Sequence, residues 1–196
     1  MSLLRTRDLR TLHLGPFSLE VAAGQCLALS GPSGSGKTLL LRALADLDPH
    51  EGSVELDGTA QADCSGPEWR RRVGFLPAES HWWASRVGDH FRSPAIDLRD
   101  GLDRFVLDPG CLDWQVERLS SGERQRLALL RLLDIGPRAL LLDEPTANLD
   151  SDSARAVEER IGEFRRENDA AVVWVSHDAG QRERVADDEM VLGGEA

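Results

Sequence analysis

Four apolar runs punctuate the chain: Gln25-Cys26-Leu27-Ala28-Leu29-Ser30, Val73-Gly74-Phe75-Leu76-Pro77, Arg138-Ala139-Leu140-Leu141-Leu142-Asp143 and Ala170-Ala171-Val172-Val173-Trp174-Val175. Short unalternated runs of this kind predict strands buried on both faces, the pattern of a parallel sheet. Between them lie segments of helical composition. Leu39 to Ala45 follows the first run and ends near Asp46 to Pro49. A longer one starts after Leu119, repeats leucine at 127, 129, 130, 132 and 133, and stops at Gly136-Pro137; a third spans Ser151 to about Asn168. Phe17-Ser18-Leu19-Glu20-Val21 alternates as a half-buried strand does, with Ala22-Ala23-Gly24 turning it back, and Gly52 to Gly58 reads as a short strand closed by Asp57-Gly58. Met190-Val191-Leu192 reads as an edge strand. The order predicts an α/β sandwich with a mainly parallel core sheet and an antiparallel β lead-in. From Ala78 to Glu117 the periodicity weakens and Gly, Pro and Asp recur, including Gly88, Pro94, Asp97, Pro109 and Gly110, which predicts a small insert of short helices.

The 196 residues are read as one domain spanning 1–196, with a core at 1–77 and 118–196 and the insert at about 78–117. A net charge of −11 argues against binding nucleic acid through its phosphates, which needs clustered Lys and Arg. Cys26, Cys64 and Cys111 have neither C-x-x-C spacing nor partnered histidines, so a zinc site or disulfide framework is not expected and a reducing compartment is. The N-terminus does not read as a signal peptide, and no apolar run reaches the length that spans a bilayer. Work at a membrane would therefore require another chain as anchor.

The first core strand leads directly into Gly31-Pro32-Ser33-Gly34-Ser35-Gly36-Lys37-Thr38, a full match to G-x-x-x-x-G-K-[ST]. Glycines there let successive backbone N–H groups turn toward phosphate oxygens, and the following helix N-terminus adds partial positive charge. Lys37 would reach the β- and γ-phosphates and the Thr38 hydroxyl would ligate Mg²⁺. A second strand ends in Asp143-Glu144. Ligands of an open parallel sheet collect at the carboxyl ends of its strands, so both acids should arrive beside the glycine loop. Asp143 suits the Mg²⁺ shell and Glu144 suits a base for an attacking water. His177, after the last core strand, belongs to the same edge and could hydrogen-bond a γ-phosphate. Ser120 and Glu123 stand in the S-x-x-E relation of a capping box; the same geometry could present a hydroxyl and free N–H groups to an anion. Asp150 is placed to cap the helix that follows it. Arg70-Arg71-Arg72 reads as a solvated face, and His81-Trp82-Trp83 either as packing filler or as a protein-contact anchor.

Together these segments resemble the nucleotide-binding subunit of ABC transporters over nearly the whole chain. Gly31 to Thr38 is similar to the Walker A loop, Leu119-Ser120-Ser121-Gly122-Glu123 to the LSGGQ signature, Leu140 to Thr146 to Walker B with its catalytic glutamate, Ala147-Asn148-Leu149-Asp150 to the D-loop, and His177 to the switch histidine. The resemblance implies an ABC-type P-loop NTPase sandwich that hydrolyses ATP with Mg²⁺ in a head-to-tail homodimer. Each site would then pair one subunit's Walker A with the other's Ser120 and Gly122. It also implies a separate membrane permease, contacted near Trp82-Trp83, and a location on the cytoplasmic face of the cell membrane. The compact size, together with the Ala45-Asp46-Leu47-Asp48-Pro49 and Val173-Trp174-Val175-Ser176-His177 segments, is most similar to small ATPases assigned to iron or metal export.

Three departures bear on mechanism. Ala78 stands where the family has a metal-ligating glutamine, so either Glu79 substitutes or the coupling differs; Ser121 replaces a signature glycine; and the chain has no tyrosine to stack on adenine, for which His13 is a weak substitute while Phe17 reads as core. These keep a second reading in view, an ATP-dependent dimerisation module with little turnover. A soluble non-transport ABC ATPase is a third, which the charge disfavours.

Overall fold

The computed structural model describes residues 3–12, 14–92 and 98–193; His13, Pro94 and Asp97 lie outside them. The chain runs β1 (Leu3–Thr11), β2 (Leu14–Phe17), β3 (Glu20–Ala22), β4 (Cys26–Ser30), α1 (Lys37–Leu44), β5 (Glu51–Leu56), β6 (Thr59–Ala60), α2 (Gly66–Arg72) and β7 (Val73–Leu76). After the insert, which holds α3 (Arg99–Arg104), come α4 (Ser121–Asp134), β8 (Ala139–Asp143), α5 (Ser151–Glu167), β9 (Ala171–Val175), α6 (Ala179–Val185) and β10 (Asp188–Val191).

The four apolar runs become β4, β7, β8 and β9, which join β10 in a parallel sheet of order β10-β4-β9-β8-β7. Their period of two sorts side chains between two cores. Ala139, Leu141, Ala171, Val173 and Val175 face a core shared with α1 and the antiparallel sheet, while Leu140, Leu142, Val172 and Trp174 face a core shared with α4, α5 and the insert. Complete burial of each Leu or Val contributes about 1.5–3 kcal/mol, so a sheet covered on both sides has ample driving force. Because the strands are parallel, the loops after β4, β7, β8 and β9 all open on one edge.

The antiparallel sheet has order β2-β1-β5-β6 with β3 also paired to β1. Here the structure corrects two readings. Phe17 to Val21 is not one strand: β2 ends at Phe17 and β3 begins at Glu20, because Thr6 reaches both Phe17 and Leu19 and bends the chain between them. β1 and α2 carry no clean period and were not anticipated. In β1 the alternation breaks where Asp8 takes φ 50° and the pairing with β5 shifts register. In α2 a capping box of Ser65 and Glu68 starts a helix whose last turn is Arg70-Arg71-Arg72, with Trp69 buried beneath. Two of those arginines are tied to neighbours, Arg70 to Asp46 and Arg72 to the Leu56 carbonyl and Asp57. Asp57-Gly58 does close a hairpin: both residues have positive φ (52° and 73°) and Leu56 pairs with Thr59.

In the stretch from Ala78 to Glu117, α3 is accompanied by single turns at Val87–His90, Pro109–Asp113 and Val116–Arg118. Leu98, Leu102, Phe105 and Leu107 hold the segment to the face of α4.

Candidate active site

Between β4 and α1 the loop bends sharply, with Gly31, Gly34 and Gly36 at φ 136°, 81° and 93°. One of these positions also lacks room for a side chain: a Cβ on Gly31 would sit 2.2 Å from the Leu192 carbonyl oxygen, whereas one on Gly36 would meet the movable end of Leu14, 2.0 Å from Cδ1. Lys37 is buried, and its ammonium donates to the carbonyls of Gly31 and Pro32 at 2.9 and 3.0 Å, so the loop folds around its own lysine. The Ser35 hydroxyl is buried and takes no hydrogen bond. Pro32 and Ser33 are exposed at the rim.

Across from the loop, the Thr38 hydroxyl donates to Asp143 Oδ2 at 2.7 Å, joining the first turn of α1 to the end of β8. The next residue, Glu144, leaves the strand with φ 51°, a conformation that costs a non-glycine residue on the order of 1–3 kcal/mol. Its amide donates to the Val175 carbonyl, fixing it to β9. Glu144 Oε1 is buried without a hydrogen bond, and His177 Nε2 stands 3.3 Å from it. Burial pushes the Glu144 carboxyl above the usual carboxylate range; His177 and Lys37 pull it down, and Asp143 pushes it up again.

A cleft of about 350 Å³ gathers Ser33, Gly34, Gly36, Lys37, Thr38, Asp143, Glu144 and His177. Ala78, Leu39 and Val175 complete its wall. Ala78 was legible as a departure after β7; Leu39 and Val175 carry no chemical signal and could not have been picked out. Glu79 is exposed and is not among the residues lining this cleft.

Ser120, Gly122 and Asp150 form a separate group. Ser120 Oγ accepts from the Glu123 amide at 3.2 Å while Glu123 accepts from the Ser120 amide and hydroxyl, a complete capping box for α4. Asp150 caps α5 by accepting from the amides of Asp152 and Ser153 at 3.1 and 2.9 Å. The two helix starts adjoin: a Cβ on Gly122 would meet Leu149 Cδ2 at 3.1 Å, and Arg126 bonds the Ser153 hydroxyl. Phe17, read as a core residue, is half-buried and packs on the core. Trp82 packs partly into the core and Trp83 points outward.

A glycine loop between a parallel strand and a helix, with the helix's Thr38 bonded to Asp143 at the end of β8, defines a P-loop nucleotide site on an α/β sandwich. The family model described as ABC transporter matches residues 14–147. A probable iron export ATP-binding protein, FetA, of Escherichia coli (strain K12) is 35% identical over 182 residues, covering 87% of this chain and 80% of its own length. Protein STAR1 of Oryza sativa subsp. japonica is 37% identical over 179 residues, 86% of this chain. A sulfate/thiosulfate import ATP-binding protein, CysA, of Xanthomonas campestris pv. campestris is 34% identical over 209 residues, 98% of this chain. The chain spans 52% and 60% of the lengths of these last two relatives. Among solved structures, an ATP-binding subunit of an ABC transporter superposes with TM-score 0.87 at 25% identity, covering 97% of this chain and 85% of that one. An ATP-binding cassette in a dimeric post-hydrolysis state, bound to ADP and Pi, shares the fold with TM-score 0.83 at 23% identity over 96% of this chain and 94% of that one. The chain belongs to the ABC transporter family. Within it, the chain is an ATP-binding domain and an ATPase.

Proposed function

We propose that this chain is the ATP-hydrolysing subunit of a transporter whose membrane-spanning part is a separate protein, and that it works as a head-to-tail homodimer on the cytoplasmic face of the membrane. The observation that carries the reading is the Thr38–Asp143 pair at 2.7 Å with Glu144 beside it, facing Lys37 across one cleft. No helix of the described residues is long and apolar enough to cross a membrane, which fits a division of labour between two chains.

Thr38 and Asp143 present hard oxygen donors side by side. No cluster of three His, Cys, Asp or Glu accompanies them among the described residues. That donor set suits Mg²⁺, which takes one or two protein ligands and fills its shell with water and phosphate; when bound, the ion would screen and polarise the phosphates. Gly31 to Thr38 would hold the phosphate chain: the amides of the glycine-rich turn, the Ser35 hydroxyl and the Lys37 ammonium are its donors. Glu144 would accept the proton of the attacking water, its raised pKa bringing its basicity nearer to neutral pH. His177, 3.3 Å from Glu144, would orient that carboxylate and the terminal phosphate. Ser120 and Gly122 at the start of α4, with Asp150 close by, would complete the partner copy's site, in keeping with their place outside the cleft that holds Lys37. We assign Glu79 no more than an outer position near the metal, since Ala78 occupies the wall. That alanine favours one second reading, an ATP-dependent dimerisation module with slow turnover.

The cargo would be a metal ion moved outward, a reading supported by the relative named for iron export, of which this chain spans 80%. Affinity capture of the tagged chain from detergent-solubilised membranes, with Glu144→Gln alongside, tests the assignment. A co-purifying polytopic membrane protein is expected; recovery of the chain with soluble proteins only would favour the dimerisation module.

A further inference from the structure

A second groove, of about 580 Å³, is lined by Glu144 and His177 together with Thr146, Asp178 and Gln181. Both side chains border open space there, so hydrogen bonds rather than close packing must set their spacing. The His177 ring is more than half exposed, and among the described residues it has no polar partner except Glu144. The segments that follow the two residues are, however, bridged. Asp178, next to His177, caps α6 by accepting from the Gln181 amide at 3.2 Å. The Gln181 side chain is buried and reaches the turn after β8, where its Nε2 donates to Thr146 Oγ1 at 2.8 Å. That turn starts at Glu144, whose carbonyl accepts from the Ala147 amide. Nε2 also donates to Glu158 Oε1 on α5 at 2.8 Å, and Arg184 grips the same carboxylate, Nε to Oε2 at 3.1 Å and Nη2 to Oε1 at 2.8 Å. Burial pushes the Glu158 carboxyl up, but the Arg184 and Gln181 hydrogen bonds outweigh it and leave its pKa below the ordinary value. An ionised carboxylate only accepts, so Glu158 dictates which end of the Gln181 amide carries the N–H groups. Gln181 Oε1 is thereby left 3.2 Å from Thr146 Oγ1. Arg182 anchors α6 separately, donating to the Ser176 carbonyl and to Glu189, each at 3.0 Å.

We propose that Gln181 is a positioning residue for hydrolysis: by joining the start of α6 to the turn after Glu144 through the Thr146 hydroxyl, it holds Glu144 and His177 at the spacing in which one orients the other. The inference rests on the roles proposed above for Glu144 and His177 and adds the pair of residues that holds them. Neither Gln181 nor Thr146 lines the cleft that contains Lys37, so the bridge acts on the catalytic pair and not on the phosphates. Misplacing a catalytic group by about 1 Å can cost about 10²-fold in rate. Loosening the bridge should therefore lower kcat while ATP binding is kept.

Thr146→Val, Thr146→Ser, Gln181→Leu and the double variant Thr146→Val with Gln181→Leu test it in the full chain. Steady-state phosphate release and the affinity for a fluorescent ATP analogue are measured on each, with the histidine ring resonances of the nucleotide-free chain alongside. Thr146→Val and Gln181→Leu are each expected to lower kcat about tenfold with nucleotide affinity within about twofold of native. The double variant should be no slower than the slower single one, because both changes cut the same link. Thr146→Ser, which keeps the hydroxyl, should retain the native kcat. The His177 resonance, identified by its loss in His177→Ala, should move in Thr146→Val and Gln181→Leu and stay in place in Thr146→Ser. Native kcat in both single variants, losses that multiply in the double one, a nucleotide affinity that falls as far as kcat, or an unmoved His177 resonance would overturn the proposal. If Gln181→Leu does not fold, the comparison of Thr146→Val with Thr146→Ser decides alone. Glu144→Gln is assayed on the same day: turnover as fast as native in that variant, or none in the native chain, counts against the proposed function. A loss there beside native rates in the Thr146 and Gln181 variants removes this inference alone.

Discussion

At the scale of residues, the site depends on groups held where they are uncomfortable. Glu144 combines a left-handed backbone, a buried oxygen and a raised pKa. The sign of the pH effect follows. In the unfolded chain Glu144 titrates near 4.5, and in the folded chain higher, so the folded state holds the proton to higher pH. Stability therefore falls as pH rises through the folded value, and at neutral pH the ionised group is a burden. Glu144→Gln should accordingly melt above the native chain at pH 7, with the difference closing as pH drops below 4.5, read by thermal unfolding across a pH series. Gly36 is the second such position. With φ 93°, Gly36→Ala should destabilise by about 1–3 kcal/mol and weaken nucleotide binding by at least about tenfold, measured by urea unfolding and by titration with a fluorescent ATP analogue. The chemistry of these residues was legible in the sequence because a glycine loop, an Asp-Glu pair and a histidine each follow an apolar run. Their strain was not, because φ depends on the path the chain takes after the strand.

At the scale of elements, what aligns these side chains is the parallel sheet and the helices that start against it. α4 begins on the Ser120–Glu123 box, and the Ser120 hydroxyl and amide hold the Glu123 carboxyl below its usual range of about 4.5. Ser120→Ala should cost about 1 kcal/mol at neutral pH, the usual loss for an N-cap. A depressed folded pKa gives stability that is present above the unfolded value and lost below it, so the penalty should shrink as pH falls beneath 4.5. Urea unfolding at two pH values checks both parts. The elements that can be read from the residues are the unbroken apolar runs β4, β7, β8 and β9, the helices α1, α4 and α5, and the short strands β5 and β10. β1 escaped because a register shift near Asp8 moves its buried positions from Leu4 and Thr6 to Leu9 and Thr11. α2 escaped because Trp69 is the one large apolar residue in its seven positions, so no hydrophobic period shows, although Ser65 and Glu68 spelled out its start.

At the scale of the whole molecule, the two groups of motif residues on one chain are a statement about assembly. Lys37, Thr38, Asp143, Glu144 and His177 share a cleft, while Ser120, Gly122 and Asp150 cap two other helices. Both sets come into use together if a second copy supplies the missing half, so hydrolysis should rise more steeply than linearly with protein concentration until the dimer saturates. A phosphate-release assay over a dilution series reads this directly. The expectation of such a division came from the family resemblance; the adjacency of Gly122 to Leu149 was not legible in the sequence, because it is set by how α4 and α5 pack.

The central claim is that this cleft hydrolyses ATP with Glu144 as its base. Steady-state phosphate release from Mg-ATP by the purified chain and by Glu144→Gln, with nucleotide affinity determined for both, tests it most directly. The account predicts turnover by the native chain and a loss of about 10²–10⁴-fold in the variant with ATP still bound. Equal rates in the two proteins, or an ATP affinity that collapses with the substitution, would contradict it.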